Sequence, residues 1–398
     1  MIFSMSDFYH LYEGKLTIAA GSGGLVRPVK SVGILDYELM PGLKNKYQRV
    51  NFYDDQLVLS TFLYTHDDPY YIGEAIRYLV GKGTSGLVIK NVFHLQIPET
   101  ALRFANARNY PVFVTTADDF FFDEVVVDVV GRIERLSSAV EMERLIDGLR
   151  EEARDPSRDL THTRELVGKL NPSFLRECLV VWAPSADDLL ADTFLELERV
   201  FRKGELYKAA NVFLQYRGGV MLIASWDPLE DVDVDRMLHA FRDELLSHEE
   251  TAVVGVSARH QTTDELPEAI VEALLSAEVA TLRGGMTVRY DELGTLSVLF
   301  GCASSPAARA FERRVLEPLR VHDAETNARL EETLKAYLEA DCSMVEAGCR
   351  LGQHPNTVRY RLDRVSALTG LSYRVPNELE QLRMAEELAF CQEVLIGI

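Results

Sequence analysis

Short apolar runs separated by helical repeats characterise the first part of the chain. Near-continuous apolar runs at 56–61, 85–90 and 110–115 predict buried strands, because a strand covered on both faces has no polar side. Between them, 71–80 and 98–109 carry apolar residues at helical spacing. Strands and helices that alternate in this way predict a parallel α/β domain, covered on both faces, over residues 1–123.

A long helical pattern follows at 124–153. Its apolar residues alternate steps of three and four, as in a coiled coil: Val126, Val129, Ile133, Leu136 and Val140. Fewer than three clean heptads are present, so two interpretations stay open. The segment forms either a short coiled coil between protomers or a linker helix packed on its own domain.

A second α/β region is predicted over 154–300, after the helix-breaking segment 154–157. The predicted strands are 178–183, 212–217, 220–225, 252–257 and 287–290, and the predicted helices are 186–201, 232–247 and 266–282. The two central strands meet at Gly218-Gly219, a signal for a two-residue hairpin. The predicted order starts as strand, helix, strand, strand, helix, strand.

The C-terminal region, 325–398, is predicted to be helical. Apolar residues predict a helix over 330–340, a short helix over 343–351 and, after a turn at 352–354, a third helix from Pro355 to Thr369. Proline suits the first helical position, where its missing N–H costs nothing, and Gly370 supplies the left-handed stop. This order is typical of a helix-turn-helix domain.

The third helix is predicted to have one apolar stripe and one basic exposed face. Helix-turn-helix proteins place such a face in the major groove, with arginines on phosphates and other polar groups nearer the bases. We therefore expect DNA contacts from Asn356, Thr357, Arg359, Tyr360, Arg361 and Arg364. By its helical angle Arg361 sits nearer the stripe, so part of its stem is expected to pack. The alternative is a helical hairpin whose arginines are merely solvated.

The C-terminal motif also carries a family resemblance. The segment HPNTVRYRLDRVSALTG at 354–370, followed by NELEQLRMAEELA, resembles the helix-turn-helix of PucR/CdaR-type bacterial transcriptional regulators, whose mark is His-x-Asn-Thr-x-Arg-Tyr-Arg-Leu. The order of short patterns at 20–29, 57–61, 86–89 and 97–111 resembles the PucR N-terminal effector domain, except that Phe62 replaces the usual glycine after a Thr-Thr pair. The resemblance implies a GGDEF-like domain of the cyclase-palm type in the middle of the chain. The segment 269–294 resembles the C-terminal end of such a domain.

The predicted middle domain lacks the residues of a working cyclase. A diguanylate cyclase needs carboxylates in and near the central hairpin to hold Mg²⁺ against a triphosphate. The segment here is Arg217-Gly218-Gly219-Val220-Met221, which carries no acid. We therefore expect a degenerate GGDEF-like domain with a scaffold or dimerisation role. The sequence predicts no catalytic residue, cofactor or metal site.

Charge and composition restrict the function further. A formal charge of -20 argues against non-specific adhesion to nucleic acid or membranes, so DNA binding must rest on the local basic patch, and pairing of two patches in a dimer would strengthen it. No run approaches 18 apolar residues and the N-terminus lacks a basic signal region, which predicts a cytoplasmic protein. The five cysteines are scattered and odd in number, as expected of reduced thiols.

No motif marks an effector site, so its prediction rests on topology. Ligands of open parallel sheets bind beyond the carboxyl ends of the strands. A carboxylate or ureide-like metabolite would suit the groups expected there: Arg27, Ser60, Thr61, Lys90, Asn91, Thr115 and Thr116. The alternative is that the threonines cap the following helices and that Lys90 is solvated.

These features together predict a ligand-responsive regulator of a catabolic operon that binds operator DNA as a dimer or higher homo-oligomer. The predicted architecture is an α/β sensor, a linker helix, a palm-like middle domain and an all-α DNA reader. Two alternatives come from other classes: a nucleotide-processing enzyme of the cyclase-palm type, and a protein-interaction adaptor.

Overall fold

The computed structural model describes residues 3–36, 38, 51–65, 68–155, 157–185, 191–245 and 252–398. The chain forms two compact units, Met1–Met142 and Glu143–Ile398. His66, Pro156 and parts of the predicted helices 186–201 and 232–247 lie outside the described residues.

The first unit is built on a five-stranded sheet. Its described elements are α1 (Met5–Leu11), β1 (Thr17–Ala20), β2 (Ser31–Ile34), β3 (Gln56–Ser60), α2 (Tyr70–Gly81), β4 (Gly86–Lys90), α3 (Glu99–Ala107), β5 (Val112–Thr115) and the start of α4 (Phe122–Glu152). The strand order is β1-β5-β4-β3-β2, and only the pair β1–β5 is antiparallel. The predicted strands and helices of this region are all found.

Both faces of this sheet are covered, because successive side chains of a strand point to opposite sides. Val58 and Leu87 pack in a cluster with residues of α2 and α3, whereas Leu57 and Val88 pack in another with residues of α1 and α4. The α/β architecture predicted for the N-terminal region is confirmed, but the sheet is not wholly parallel as predicted, because β1 pairs antiparallel with β5.

The first half of α4 packs against the second of these clusters. Val125 and Val129 are buried in it, and Val126, Ile133 and Leu136 lie partly buried against it. Most of the apolar positions that suggested a coiled coil therefore already contact their own protomer. This packing favours the linker-helix interpretation for the segment up to Leu136.

The second unit contains another five-stranded sheet and the C-terminal helices. After the end of α4, the described α-helices and strands up to residue 300, with one π-helix, are α5 (Leu160–Leu170), β6 (Glu177–Ala183), α6 (Ala191–Lys203), β7 (Val212–Tyr216), β8 (Gly219–Trp226), α7 (Val234–Ala240), the π-helix (Phe241–Leu245), β9 (Val254–Val256), α8 (Leu266–Arg283), β10 (Thr287–Arg289) and α9 (Thr295–Phe300). The strand order is β10-β9-β6-β8-β7. Strand β6 runs antiparallel to both β8 and β9, and β10 runs parallel to β9.

The hairpin between β7 and β8 differs by one residue from the prediction. Its turn is Arg217-Gly218, with φ of 43° and 76°, as the primed hairpin turns require. Gly219 instead belongs to β8 and pairs with Tyr216. A β-carbon at Gly219 would collide with the carbonyl oxygen of Ala183, so glycine is needed there for close strand packing.

The region 325–398 is helical, as predicted. Its helices are α11 (Leu330–Glu339), α12 (Met344–Leu351), α13 (Pro355–Thr369) and α14 (Pro376–Gly397), and they are preceded by α10 (Pro306–Thr326), a helix that the sequence patterns did not predict. Buried side chains of α10, α11, α13 and α14 form one core, with Ala347 of α12.

Candidate DNA-binding site

Helices α12 and α13 have well-defined ends. The Ser343 hydroxyl caps α12 by accepting from the N–H of Glu346, and Gly352 ends the helix with φ of 62°. His354 caps α13, because its Nδ1 accepts from the N–H of Asn356 at 3.1 Å. Pro355 occupies the first helical turn, and Gly370 ends the helix in the left-handed conformation.

The turn between α12 and α13 is tight because Gly348 lacks a side chain. A β-carbon there would lie 2.6 Å from the carbonyl oxygen of Gln353. The N–H of Gln353 donates to the carbonyl of Gly348 at 2.8 Å, which closes the turn. Gly348 therefore shapes the turn of the helix-turn-helix, and the sequence pattern did not identify it.

Helix α13 buries the predicted stripe and exposes the opposite face. Val358, Leu362 and Val365 are buried in the core with side chains of α10 and α11. Of the residues predicted to contact DNA, Asn356, Arg359, Tyr360 and Arg364 are exposed, Tyr360 to 74%. Thr357 and Arg361 are half-buried.

Several of the local arginines are already bound within the protein. Arg350 pairs with Glu339 at 3.4 Å, and Arg374 pairs with Asp363 at 2.8 Å. Among the described residues, no ion pair engages Arg359 or Arg364. Fewer arginines are therefore available to bind phosphates on this face than the number of arginines in the sequence suggests.

Arg361 is directed back into the protein. Its Nη1 donates to the Thr333 hydroxyl of α11 at 3.2 Å, and that hydroxyl donates to the carbonyl of Arg329 at 2.6 Å. Thr333 is fully buried. This position agrees with the expectation that part of the Arg361 stem packs. The guanidinium is also hydrogen-bonded within the protein.

Asp363 is held from the other direction. The Tyr373 hydroxyl donates to its Oδ1 at 3.0 Å, and Arg374 donates to the same oxygen at 2.8 Å. Burial and the neighbouring Asp363 carboxylate raise the pKa of Tyr373, so its hydroxyl stays protonated as a donor at neutral pH. Tyr373 in turn lies edge-on to Tyr337 of α11, with ring centroids 5.8 Å apart.

The predicted effector residues fall into two groups. Strands β3, β4 and β5 are neighbours, so their carboxyl ends bring Ser60, Lys90 and Thr115 to one edge, with Thr61, Asn91 and Thr116 next to them in sequence. Arg27 lies at the opposite edge: its guanidinium donates to the carbonyls of Thr84, Arg108 and Asn109, which precede β4 and β5. The expected proximity of Arg27 is therefore wrong, because the glycine turn leads to the amino ends of the strands.

Most polar groups at the carboxyl edge have local partners. The hydroxyls of Ser60 and Thr115 accept from backbone N–H groups two residues later, at 3.0 and 3.1 Å. The Asn91 side chain bridges the backbone of Leu95, and Lys90 Nζ donates to the carbonyl of Phe120 at 2.9 Å. These bonds favour local turn formation for the hydroxyls, while Lys90 is held by a loop carbonyl and is not simply solvated.

The hairpin between β7 and β8 has buried side chains and forms hydrogen bonds with carboxylates of α4. Val220 and Met221 are buried in β8. Two carboxylates of α4 reach this hairpin: Glu143 accepts from the N–H of Arg217 at 3.3 Å, and Asp147 accepts from the Tyr216 hydroxyl at 2.7 Å. Both therefore serve as hydrogen-bond acceptors between α4 and the hairpin.

Two family descriptions match this chain. The PucR C-terminal helix-turn-helix domain matches residues 330–388, which include α11 to α13, and the purine catabolism regulatory protein-like family matches residues 9–133. Both matched regions are therefore similar to PucR-type proteins. This confirms the resemblance drawn from the motif at 354–362 and from the N-terminal patterns.

Two relatives of this chain carry regulatory names. It is 26% identical over 206 residues to the purine catabolism regulatory protein of Bacillus subtilis, covering 50% of this chain and 38% of that protein. It is 25% identical over 121 residues to the proline-responsive transcriptional activator PutR of the same organism, covering 30% and 29%. The chain thus spans well under half the length of these relatives.

A solved structure also matches. The regulator of polyketide synthase expression from Bifidobacterium adolescentis has 21% identity and a TM-score of 0.30, covering 63% of this chain and 92% of that chain.

No helix among the described residues combines the length and the apolar character that a membrane crossing demands.

Proposed function

We propose that this PucR-type protein is a ligand-responsive transcriptional regulator that binds operator DNA through α12 and α13. The observation that carries the proposal is that α13 is buried on one side and exposes Asn356, Arg359, Tyr360 and Arg364 on the other. Such a helix can enter the major groove, where asparagine pairs with adenine edges and arginine reaches phosphates or guanine. The name of the Bacillus purine catabolism regulatory protein supports control of a catabolic operon, and the name of the proline-responsive activator supports response to a small molecule.

The remaining regions have roles consistent with this function. The first unit, with residues 1–123 as the sensor, would receive the effector, and α4 would connect it to the region 154–300. That region is proposed as a degenerate GGDEF-like scaffold, because β6 to β9 follow the ferredoxin-like order 4-1-3-2 and the hairpin lacks acids. The helix-turn-helix domain occupies 325–398. Because bacterial operator DNA lies in the cytoplasm, the proposed protein acts there.

Dimerisation is part of the proposal. One helix buries too little surface for specific affinity, and two-fold related readers match palindromic half-sites. The second half of α4 and the middle domain are the candidate interfaces. The formal charge of -20 would repel phosphates, so joining two basic faces would raise the affinity substantially.

Substitutions on α13 test DNA binding directly. Arg359→Ala should weaken binding to operator and to random DNA alike and lower the salt slope by about 0.9, the value for one phosphate contact. Asn356→Ala should lower the preference for operator over random DNA by about 1–3 kcal/mol. Arg199→Ala is the matched control, since Arg199 is an exposed arginine on α6. Parental binding by both α13 variants, measured by fluorescence anisotropy from 50 to 200 mM salt, would reject the assignment.

The effector site is proposed at the carboxyl edge of the first sheet, around Thr61, Lys90, Asn91 and Thr116. Lys90 would supply the positive charge for a carboxylate or ureide-like metabolite if its bond to the Phe120 carbonyl opens. In a reporter strain, Lys90→Ala and Thr61→Val should abolish the response while DNA binding stays intact. Lys82→Ala, at the end of α2 that leads to the opposite edge, is the control. Normal induction of both variants would move the site elsewhere.

A further inference from the structure

We propose that Arg361 is a positioning residue of α13 and does not contact DNA. Together with Asp363 it sets the rotation of α13 on α11, so that Asn356 and Tyr360 face the bases. This inference rests on the proposed DNA-binding function and assigns a role within the same site.

The first anchor is the contact between Arg361 and α11. The guanidinium donates to the Thr333 hydroxyl at 3.2 Å, and this hydroxyl donates in turn to the carbonyl of Arg329 at 2.6 Å. Because Thr333 is fully buried, the guanidinium nitrogen that reaches it is on the protein side of α13. A hydrogen bond to a charged group is stronger than one between neutral groups, so the contact resists rotation of the helix.

The second anchor lies on the other flank of α13. Asp363 accepts from the Tyr373 hydroxyl at 3.0 Å, and Tyr373 packs edge-on against Tyr337 of the same helix α11. Two residues along an α-helix correspond to a turn of about 200° around its axis. Arg361 and Asp363 therefore hold α13 from opposite sides.

The exposed face depends on this rotation. Reading a base edge requires a side chain to reach hydrogen-bond distance in the groove, and a helix free to rotate would present Asn356 and Tyr360 at variable positions. Arg359 and Arg364, which carry no ion pair among the described residues, are the arginines left to meet phosphates. The two arginines of the Arg-Tyr-Arg run thus have different roles: Arg359 contacts DNA, and Arg361 binds α11.

Substitutions on both sides of the first anchor separate positioning from phosphate contact. Arg361→Met keeps the packed stem and removes the guanidinium, Thr333→Val removes the hydroxyl at nearly constant shape, and Thr333→Ser keeps the hydroxyl. Operator and random DNA are titrated by anisotropy at several salt concentrations, with Arg359→Ala in parallel.

Positioning predicts that Arg361→Met and Thr333→Val each weaken operator binding about tenfold, with little change on random DNA and an unchanged salt slope. The double variant should be no worse than either single variant, because both remove the same bond. Thr333→Ser should bind like the parent. Arg359→Ala should instead weaken both kinds of DNA and lower the slope by about 0.9.

Two results would overturn the inference. One is a drop in the salt slope for Arg361→Met equal to that for Arg359→Ala, together with parental binding by Thr333→Val, which would mean that Arg361 contacts a phosphate. The other is parental operator preference in both Arg361→Met and Thr333→Val. Failure of the proposed function looks different, since the parent itself would then bind operator no better than random DNA.

Discussion

Leu362 provides a quantitative test of how the DNA-binding helix is held. Its side chain is 0% exposed and packs in the core with residues of α10 and α11. Leu362→Ala deletes three carbon atoms, which costs about 2.4 kcal/mol at roughly 0.8 kcal/mol for each buried methylene. The cavity term adds to this because several helices surround the site and restrict its collapse, so we expect a total of about 3 kcal/mol.

Native-state hydrogen exchange is the appropriate assay, because a global melt would combine two compact units. A loss of about 3 kcal/mol corresponds to roughly a hundredfold faster exchange of the α13 amides. Leu229→Ala is the matched control: the same deletion at a side chain 96% exposed should change stability by less than about 0.5 kcal/mol. Equal exchange rates for the two variants would refute the packing of α13 described above.

Two further predictions concern the second unit and the assembly. Burial acts to lower the pKa of His260, but Glu272 at 2.9 Å and Glu265 at 3.3 Å outweigh it and raise that pKa. The protonated side chain therefore adds stability that is complete below the ordinary histidine pKa and is lost as pH rises through the raised value. Protection factors of the second-unit amides, measured by native-state hydrogen exchange from pH 5 to 9, should show this loss for the parent and a flatter profile for His260→Gln, whereas parallel profiles would contradict it. Light scattering at micromolar concentration should give twice the mass of one chain, and a monomer that still binds an operator specifically would speak against pairing.

The helix-turn-helix could be predicted from sequence almost to the residue because its signals are local. Ser343, Gly352, His354 and Gly370 act on backbone groups within a few positions of themselves. The buried strands of both sheets were predictable for a similar reason, since continuous apolar runs report burial directly. The short strands β1 and β2 and helix α1 escaped prediction, because four to seven residues carry too little periodicity. The longer helices α5 and α10 were not predicted either.

The partners of site residues could not be predicted, because they depend on tertiary packing. Thr333 lies 28 residues before Arg361, and no spacing rule connects them. Likewise, the sequence does not reveal which edge of a sheet a loop reaches, so Arg27 was expected at the wrong end of the strands. Whether a hydroxyl such as that of Thr115 faces a ligand or its own turn is also decided by local backbone geometry, as its bond to the N–H of Ala117 illustrates.

The glycine pair of the central hairpin bears on how this region should be compared with nucleotide cyclases. Gly218 is required by a left-handed turn and Gly219 by the closeness of Ala183, and neither requirement involves a nucleotide. A chain that had lost all catalytic residues would still need both glycines to fold this hairpin. In a genome survey, the pair therefore indicates a tight hairpin, and only acidic positions beside it would point to a cyclase.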